Sequence, residues 1–80
     1  MTGSELRELR KRWGLTQEAM AKRMTIQRRA YIKLEMGDQS IRGAHVLILE
    51  RVSIDIAVEM GDTSYILPRV RYIVDHLLAL

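Results

Sequence analysis

The feature that most constrains this chain is the regular placement of helix-start and helix-stop residues in its first half. Thr2 opens a sequence with capping-box spacing, and Gly14 follows the first helical pattern as a stop signal. Thr16 has the character of an N-cap for a second helix. The pattern then restarts over residues 26–36 and ends at Gly37. This punctuation predicts three helices of about 8–12 residues joined by short turns.

Apolar residues recur within the first two segments at the spacing of a single helical face. A face of this kind must be covered by other helices, because one small domain has to build one shared core. The residues predicted to be buried are Leu6, Leu9, Trp13, Met20, Ala21 and Met24.

The second half predicts two further helices. Residues 44–60 read best as one long helix with two apolar stripes, and the narrower stripe consists of Leu47, Ile54 and Val58. Gly61 ends it, and residues 63–67 suggest a short strand or an extended linker. Pro68 suits the first turn of a last helix. The predicted fold class is therefore all-α.

Charge is unevenly distributed along the chain. Residues 1–42 contain ten of the thirteen lysine and arginine residues and five of the ten acidic residues, so they carry a net charge of +5. Residues 43–80 carry −2. A basic first half favours a polyanionic partner, although ordinary surface variation is the alternative explanation.

Several classes of function lack support in the sequence. There is no cysteine, so disulfides and cysteine–zinc sites are excluded, and no apolar run approaches a membrane span. His45 and His76 are isolated from other potential ligands or catalytic partners. We therefore expect no enzyme activity, no metal and no cofactor, and the absence of cysteine fits a reducing cytoplasm.

The third predicted helix has two chemically different sides. At 100° per residue, Ala30, Tyr31 and Leu34 fall on one side. The other side spans about 140° and mixes three cations with apolar residues. Such a mixture suits a DNA groove, where arginine bonds guanine, lysine meets phosphates and an apolar side chain rests on a thymine methyl. The residues of this side are Arg28, Arg29, Ile32, Lys33 and Met36.

Two stretches together resemble a known family. "ELRELRKRWGLTQEAMAKRM" followed by "TIQRRAYIKLEMG" is similar to the lambda-repressor/Cro-like (XRE-type) helix-turn-helix regulators of phages and bacteria. The resemblance covers about residues 4–42 well and the fourth helix more loosely. It implies a lambda-repressor-like bundle in a bacterial or phage-encoded protein of the bacterial cytoplasm. The family often has two shorter helices after the recognition helix, so the long fourth helix departs from it. The C-terminal dimerisation helix is predicted from apolar spacing.

The resemblance also implies roles for individual residues. Gln17 is expected to contact a DNA phosphate and to support the recognition helix, while Arg10 and Glu35 are expected to form a structural salt bridge. Ile32 is expected to contact DNA, and Arg42 a phosphate. The full set of expected DNA-binding residues is Thr16, Gln17, Gln27, Arg28, Arg29, Ile32, Lys33 and Arg42.

Two positions depart from the family pattern. Thr25 occupies a turn position that is usually glycine, so a strained or altered turn is expected there. Tyr31 stands where the family usually has a smaller aliphatic residue. Its ring is expected to pack in the core, with its hydroxyl reaching a phosphate.

Apolar surface in the second half predicts a homodimer, because so small a chain cannot easily cover it alone. The predicted division is a DNA-binding domain over residues 1–60 and a C-terminal dimerisation segment over residues 61–80. The expected interface residues are Leu47, Ile54, Val58, Val70, Ile73, Val74 and Leu77.

Three functions remain open. The first is a repressor that binds an inverted-repeat operator in double-stranded DNA, with an anti-CRISPR-associated autoregulator as one form. The second is an antitoxin that binds DNA and captures a toxin through its C-terminal region. The third is a coactivator that uses the domain to bridge proteins.

Overall fold

The computed structural model describes residues 1–80 and consists of helices and turns, without a strand. A 3-10 turn over Thr63–Tyr65 stands where the sequence suggested a strand or an extended linker. The all-α class and the long fourth helix are confirmed. The helices are α1 Gly3–Arg12, α2 Gln17–Arg23, α3 Arg28–Met36, α4 Gly43–Met60 and α5 Pro68–Leu78.

The beginnings of α1 and α2 follow the predicted caps. Thr2 and Glu5 form a complete capping box at the start of α1, with each side chain accepting a hydrogen bond from the other residue's backbone N–H. Thr16 Oγ1 accepts from the Ala19 N–H at 3.1 Å and caps α2. These bonds satisfy amides that a helix leaves unpaired in its first turn, so the helix boundaries are set by local chemistry.

The turn between α2 and α3 contains the one non-glycine residue of the chain with left-handed backbone geometry. Thr25 has a φ of 58°. A side chain in this region costs about 1–2 kcal/mol relative to ordinary geometry. The turn is closed by backbone hydrogen bonds, including one from the Ile26 N–H to the Ala21 carbonyl at 3.0 Å. The chain therefore keeps a turn that normally uses glycine, with strain at Thr25.

The start of α3 differs from the prediction. The helix begins at Arg28 rather than at Ile26, and Gln27 is its N-cap with φ −73° and ψ 148°. The reason is that Gln27 has extended backbone geometry, while the Ile26 N–H bonds the Ala21 carbonyl at the end of α2, so residues 26 and 27 form a connector. Periodicity alone could not separate this connector from the helix, because Ile26 continues the apolar pattern.

Residues Met1–Ile48 form one of two compact units of the chain. The buried side chains of this unit are those predicted from helical spacing. Leu6, Met20, Met24 and Tyr31 have no exposed surface. Trp13 is also buried, and its indole N–H has no hydrogen-bond partner. These residues hold α1, α2 and α3 together and so set the orientation of the outer face of α3.

A close backbone approach fixes the packing of α1 against α3. A Cβ atom built on Gly3 would overlap the backbone carbonyl of Glu35 and would lie only 2.7 Å from the Leu34 carbonyl oxygen. No flexible side chain could move aside to relieve this overlap. Glycine at position 3 therefore lets the start of α1 lie directly on the end of α3, an approach that no local sequence pattern predicts.

The unit Leu49–Leu80 contains most of α4 together with α5. Leu49, Val52, Ile56 and Ala57 are buried, as is the charged residue Glu50. None of these four apolar residues belongs to the narrower predicted stripe of α4, and together they lie on its wider stripe. The unit therefore buries one face of α4 and leaves other parts of that helix exposed.

Polar contacts tie the beginning of α5 to α4. Glu50 Oε2 lies 3.0 Å from Arg69 Nε, and the Leu67 N–H donates to Ser53 Oγ at 3.2 Å. Beyond this anchor, every residue from 71 to 80 is exposed. The helix is thus attached at its first turn and is otherwise uncovered.

The chain divides into the compact units Met1–Ile48 and Leu49–Leu80, so the division falls within α4. The predicted boundary between residues 60 and 61 concerned function, and it stays a prediction. None of the helices has the length and apolar character needed to cross a lipid bilayer.

Candidate nucleic-acid interface

The outer face of α3 presents a shallow recess that we call the basic recess. It is lined by Arg28, Arg29, Ile32 and Lys33. The three cationic side chains are exposed, and none of them forms a hydrogen bond or ion pair within the chain. Ile32 is half-buried between them. The recess therefore offers unpaired positive charge around an apolar centre, in the combination predicted from helical spacing.

A second recess lies at the beginning of α2. It is lined by Arg10, Thr16, Gln17, Glu18 and Arg28, so Arg28 contributes to both recesses. The lining is largely polar and includes two arginines. Four of the eight predicted DNA-contacting residues thus lie in the basic recess, and two more lie immediately beside it.

The opposite face of α3 is held by a cluster centred on the Glu35 carboxylate, which we call the Glu35 cluster. Glu35 Oε1 accepts from Arg10 Nε at 2.6 Å and from the Tyr31 hydroxyl at 2.7 Å. Glu35 Oε2 accepts from Gln17 Nε2 at 2.8 Å. Arg10 also donates to the Leu15 carbonyl at 3.0 Å. One carboxylate thereby connects α1, α2 and α3.

The Glu35 cluster includes the ion pair that the family resemblance implied between Arg10 and Glu35. The side chains of the two residues are 13% and 5% exposed, so the pair is shielded from solvent. Charge-assisted bonds in such surroundings are shorter and stronger than neutral ones. The pair therefore holds α3 at a defined orientation relative to α1.

The ionisation states within the Glu35 cluster reinforce this geometry. Burial raises the pKa of Glu35, but hydrogen bonds from Arg10, Gln17 and Tyr31 outweigh burial, so its pKa lies below the ordinary glutamate value. Burial raises the pKa of Tyr31 far above its ordinary value, and the hydrogen bond to Glu35 raises it further. Glu35 is therefore an acceptor and Tyr31 a donor at neutral pH.

The Tyr31 hydroxyl does not reach the surface, which corrects the expectation that it meets a phosphate. Its side chain is fully buried and its hydroxyl is bonded to Glu35. The two residues are four apart on α3, a spacing that places side chains on the same helical face. That spacing was the available signal in the sequence for this contact.

Gln17 bonds Glu35 of α3, as its expected support of the recognition helix requires, while its phosphate contact stays a prediction. Since the ionised Glu35 carboxylate only accepts hydrogen bonds, the amide nitrogen of Gln17 must face it, which fixes the amide orientation. One N–H of that nitrogen and the amide oxygen remain for another partner. Gln17 is therefore oriented by α3 while it lines the recess at the beginning of α2.

The remaining predicted contacts lie outside both recesses. Gln27 is exposed at the N-cap of α3, and its side chain makes no capping bond. Arg42 is exposed immediately before α4, and its backbone N–H donates to His45 Nδ1 at 2.9 Å. His45 thus has a local structural contact that the sequence analysis did not anticipate.

The described residues contain no cluster of three or more histidine, cysteine or acidic side chains that could hold a metal ion. His76 stacks on Tyr72, with ring centroids 5.4 Å apart. Both rings line an apolar recess on α5 together with Ile73, Leu77 and Leu80. The chemistry exposed by the chain is therefore cationic on α3 and apolar on α5.

Comparison with known protein families identifies this arrangement. Residues 6–52, more than half of the chain, match the profile of a helix-turn-helix family. The chain belongs to the XRE/lambda-repressor-like helix-turn-helix family. The match spans α1, α2, α3 and the beginning of α4, and so includes both recesses. Neither a curated protein nor a solved structure matches the chain.

Membership of this helix-turn-helix family shows that the protein is a DNA-binding transcription regulator. The family's domain is a regulatory one that is typically not enzymatic. In such a motif the second helix of the helix-turn-helix enters the major groove of DNA, and the first helix crosses the DNA backbone. Those two helices are α3 and α2 here.

Proposed function

We propose that this protein is a sequence-specific repressor that binds an inverted-repeat operator as a homodimer, with α3 in the major groove. The observation that carries this proposal is the basic recess. It combines three unpaired cations with one apolar side chain on a helix whose opposite face is locked by the Glu35 cluster. A rigid helix of this kind presents its side chains to base edges at little entropic cost.

Arg28 and Arg29 are the proposed base-reading residues. They occupy the first turn of α3, and the N-terminal residues of a recognition helix contact base edges. Arginine bonds the O6 and N7 atoms of guanine through two parallel hydrogen bonds. Lys33 lies one turn further along and contacts a base or a phosphate. Gln27, exposed at the N-cap, faces the same groove.

Phosphate contacts are proposed for Gln17, Thr16 and Arg42. The Gln17 amide keeps one N–H after bonding Glu35, and a phosphate oxygen accepts it. The Thr16 hydroxyl accepts from the Ala19 N–H and keeps its own O–H to donate. Arg42 is exposed and adds charge near the start of α4. These contacts set the register of the protein on DNA without reading sequence.

The homodimer is supported by the exposure of α5. Leu77 is 60% exposed and Ile73 45% exposed, and an isolated helix of 11 residues is marginal in water. A second copy supplies the same apolar surface, since a two-fold interface is self-complementary. Leu47 and Val58 on α4 are also exposed, while Ile54 and Val70 are half-buried. These residues and Val74 complete the proposed interface.

The proposed repression results from where the dimer binds on the DNA. A dimer places two recognition helices about 34 Å apart, or a multiple of that distance, on an inverted repeat. Bound at a promoter, it excludes RNA polymerase by occupying the same DNA. The proposed site of action is the cytoplasm of a bacterium, because the proposed target is a bacterial or phage promoter.

The decisive experiment is selection of bound sequences from random double-stranded DNA at two salt concentrations. We expect an inverted repeat to be enriched, and its logarithmic affinity to fall with logarithmic salt by about 0.9 per phosphate contact. Arg42→Ala should reduce that slope by about 0.9 without changing the selected sequence. Recovery of unrelated sequences at both salt concentrations would overturn the proposal.

The exposed face of α5 also supports a second candidate, an antitoxin whose C-terminal region captures a toxin. In that case α5 has a different protein as its partner and is partly unfolded alone. Circular dichroism of variants truncated within residues 61–80 tests this: little helix lost on truncation favours the antitoxin. A stable dimer in sedimentation, with α5 helical, favours the repressor.

A further inference from the structure

Ile32 occupies an unusual position for an apolar side chain. It lies at the centre of the basic recess, surrounded by the three cationic residues Arg28, Arg29 and Lys33. It is half-buried, whereas Tyr31 and Leu34 on the opposite face are buried in the domain. Packing within the domain therefore leaves part of Ile32 uncovered.

The neighbours of Ile32 determine what can cover that surface. Arg28 and Arg29 precede it by four and three residues, so their side chains flank it on the helix surface. An apolar partner protein would have to bury these unpaired cations beside its own surface, at a large desolvation cost. DNA has the complementary pattern, because its phosphates and guanine edges meet cations while the thymine methyl is the apolar group of the major groove.

We propose, on the basis of the function proposed above, that Ile32 reads the 5-methyl group of a thymine in each operator half-site. The thymine lies next to, or one base pair away from, a guanine bonded by Arg28 or Arg29. The reason for this closeness is that one helical turn advances about 5.4 Å, whereas base pairs are about 3.4 Å apart. Ile32 thereby adds a specificity determinant that no hydrogen bond supplies.

Replacement of single thymines by deoxyuridine tests this directly. Deoxyuridine pairs with adenine as thymine does but lacks the 5-methyl group. The wild-type protein should lose affinity about fourfold at one thymine position per half-site, the effect of uncovering one methyl-sized apolar group. Ile32→Ala should bind the thymine and deoxyuridine duplexes equally at that position, whereas Ile32→Val should keep part of the difference.

Met36 provides a matched control. It lies on the same side of α3 and is 69% exposed, but it does not line the basic recess. Met36→Ala should therefore keep the full deoxyuridine penalty. Loss of that penalty in Met36→Ala but not in Ile32→Ala would overturn the assignment to Ile32.

The outcomes separate this inference from the function on which it rests. If an operator is selected but no thymine position shows a penalty that depends on Ile32, the inference is overturned and the repressor proposal stands. If no operator is selected, both are overturned. A wild-type protein without any deoxyuridine penalty would overturn the inference with no variant, and Ile32→Val tests the dependence on Ile32 if Ile32→Ala folds poorly.

Discussion

Helices α3 and α5 both expose side chains that have no partner within the chain, but the chemistry of the two surfaces is opposite. On α3 the uncovered groups are cations around Ile32, and the rest of the helix is locked by the Glu35 cluster. On α5 the uncovered groups include the apolar side chains of Ile73, Leu77 and Leu78, and only the beginning of the helix is anchored. A rigid cationic surface suits a charged polymer, whereas a loosely held apolar surface suits another protein helix.

The two helices differ in how firmly contacts with other helices fix their orientation. Arg10 of α1 and Gln17 of α2 both donate to Glu35 of α3, so α3 cannot rotate without breaking these two bonds. Nothing comparable holds α5 beyond Arg71, whose Nη1 donates to the Thr63 carbonyl at 3.3 Å. Order in α3 is therefore intrinsic to the folded chain, while order in α5 depends on a partner in our proposal.

The largest expected effect comes from removing the centre of the Glu35 cluster. Glu35→Ala leaves the buried groups of Arg10, Gln17 and Tyr31 without their acceptor, which should lower the free energy of unfolding by about 3–5 kcal/mol. Urea denaturation measures this change. The control Glu8→Ala removes an exposed carboxylate and should change stability by less than about 0.5 kcal/mol. A loss below about 1 kcal/mol in Glu35→Ala would mean that the cluster does not hold α3.

The second-largest expected effect comes from a substitution on the apolar surface of α5. Leu77→Asp removes an apolar contact and introduces a carboxylate, which should cost the dimer about 3 kcal/mol. We expect monomers in sedimentation at micromolar concentrations, and weaker operator binding. Ser4→Asp adds the same charge at an exposed position in the first turn of α1, outside the proposed interface, and should leave the dimer intact. A dimer that persists in Leu77→Asp would remove α5 from the interface.

A smaller effect is expected on the cationic surface of α3. Arg28→Ala or Arg29→Ala should weaken binding to the selected operator by about 1–3 kcal/mol and reduce discrimination between related sequences. Stability should be unchanged, since neither side chain has a partner within the chain. Arg7→Ala is the control, because it removes an exposed charge from α1. Unchanged affinity and specificity in both α3 variants would contradict the assignment of α3 as the reading helix.

The smallest effect concerns the turn that places α3. Thr25→Gly removes the Cβ atom from a left-handed position, so it should raise the free energy of unfolding by up to about 1 kcal/mol. The gain is limited because glycine is more flexible when unfolded and the 2.6 Å bond from Thr25 Oγ1 to the Met24 carbonyl is lost. Thr25→Ala loses that bond and keeps the strain, so it should be destabilised. Thermal denaturation distinguishes the two, and equal stability would mean that Thr25 is unstrained.

Much of the fold was predictable because its signals are local. Thr2 and Thr16 cap helices through bonds spanning three residues, and Pro68 begins α5 as expected. The burial of Leu6 and Met20 follows from helical spacing. The start of α3 was predicted two residues early, because the extended backbone of Gln27 depends on the turn from α2 and not on the apolar pattern.

The candidate site was predictable in part. Helical spacing alone placed Arg28, Arg29, Ile32 and Lys33 on one face, since those positions follow from 100° per residue. It could not assign Glu35 three donors, because Arg10 and Gln17 are 25 and 18 residues away in sequence. Nor did it anticipate the burial of Glu50, whose partner Arg69 lies on another helix.

The sequence by itself determined that there are five α-helices, the N-caps of α1 and α2, the absence of cysteine chemistry and the cationic face of α3. All of these depend on neighbours within a few residues or on composition. Only the tertiary structure decided that Tyr31 bonds Glu35 rather than reaching the surface, that Gly3 allows α1 to touch the end of α3, and that residues 71–80 are uncovered. Those outcomes depend on which groups far apart in sequence come into contact. The free energies of burial and hydrogen bonding depend on these contacts and not on neighbouring residues in the sequence.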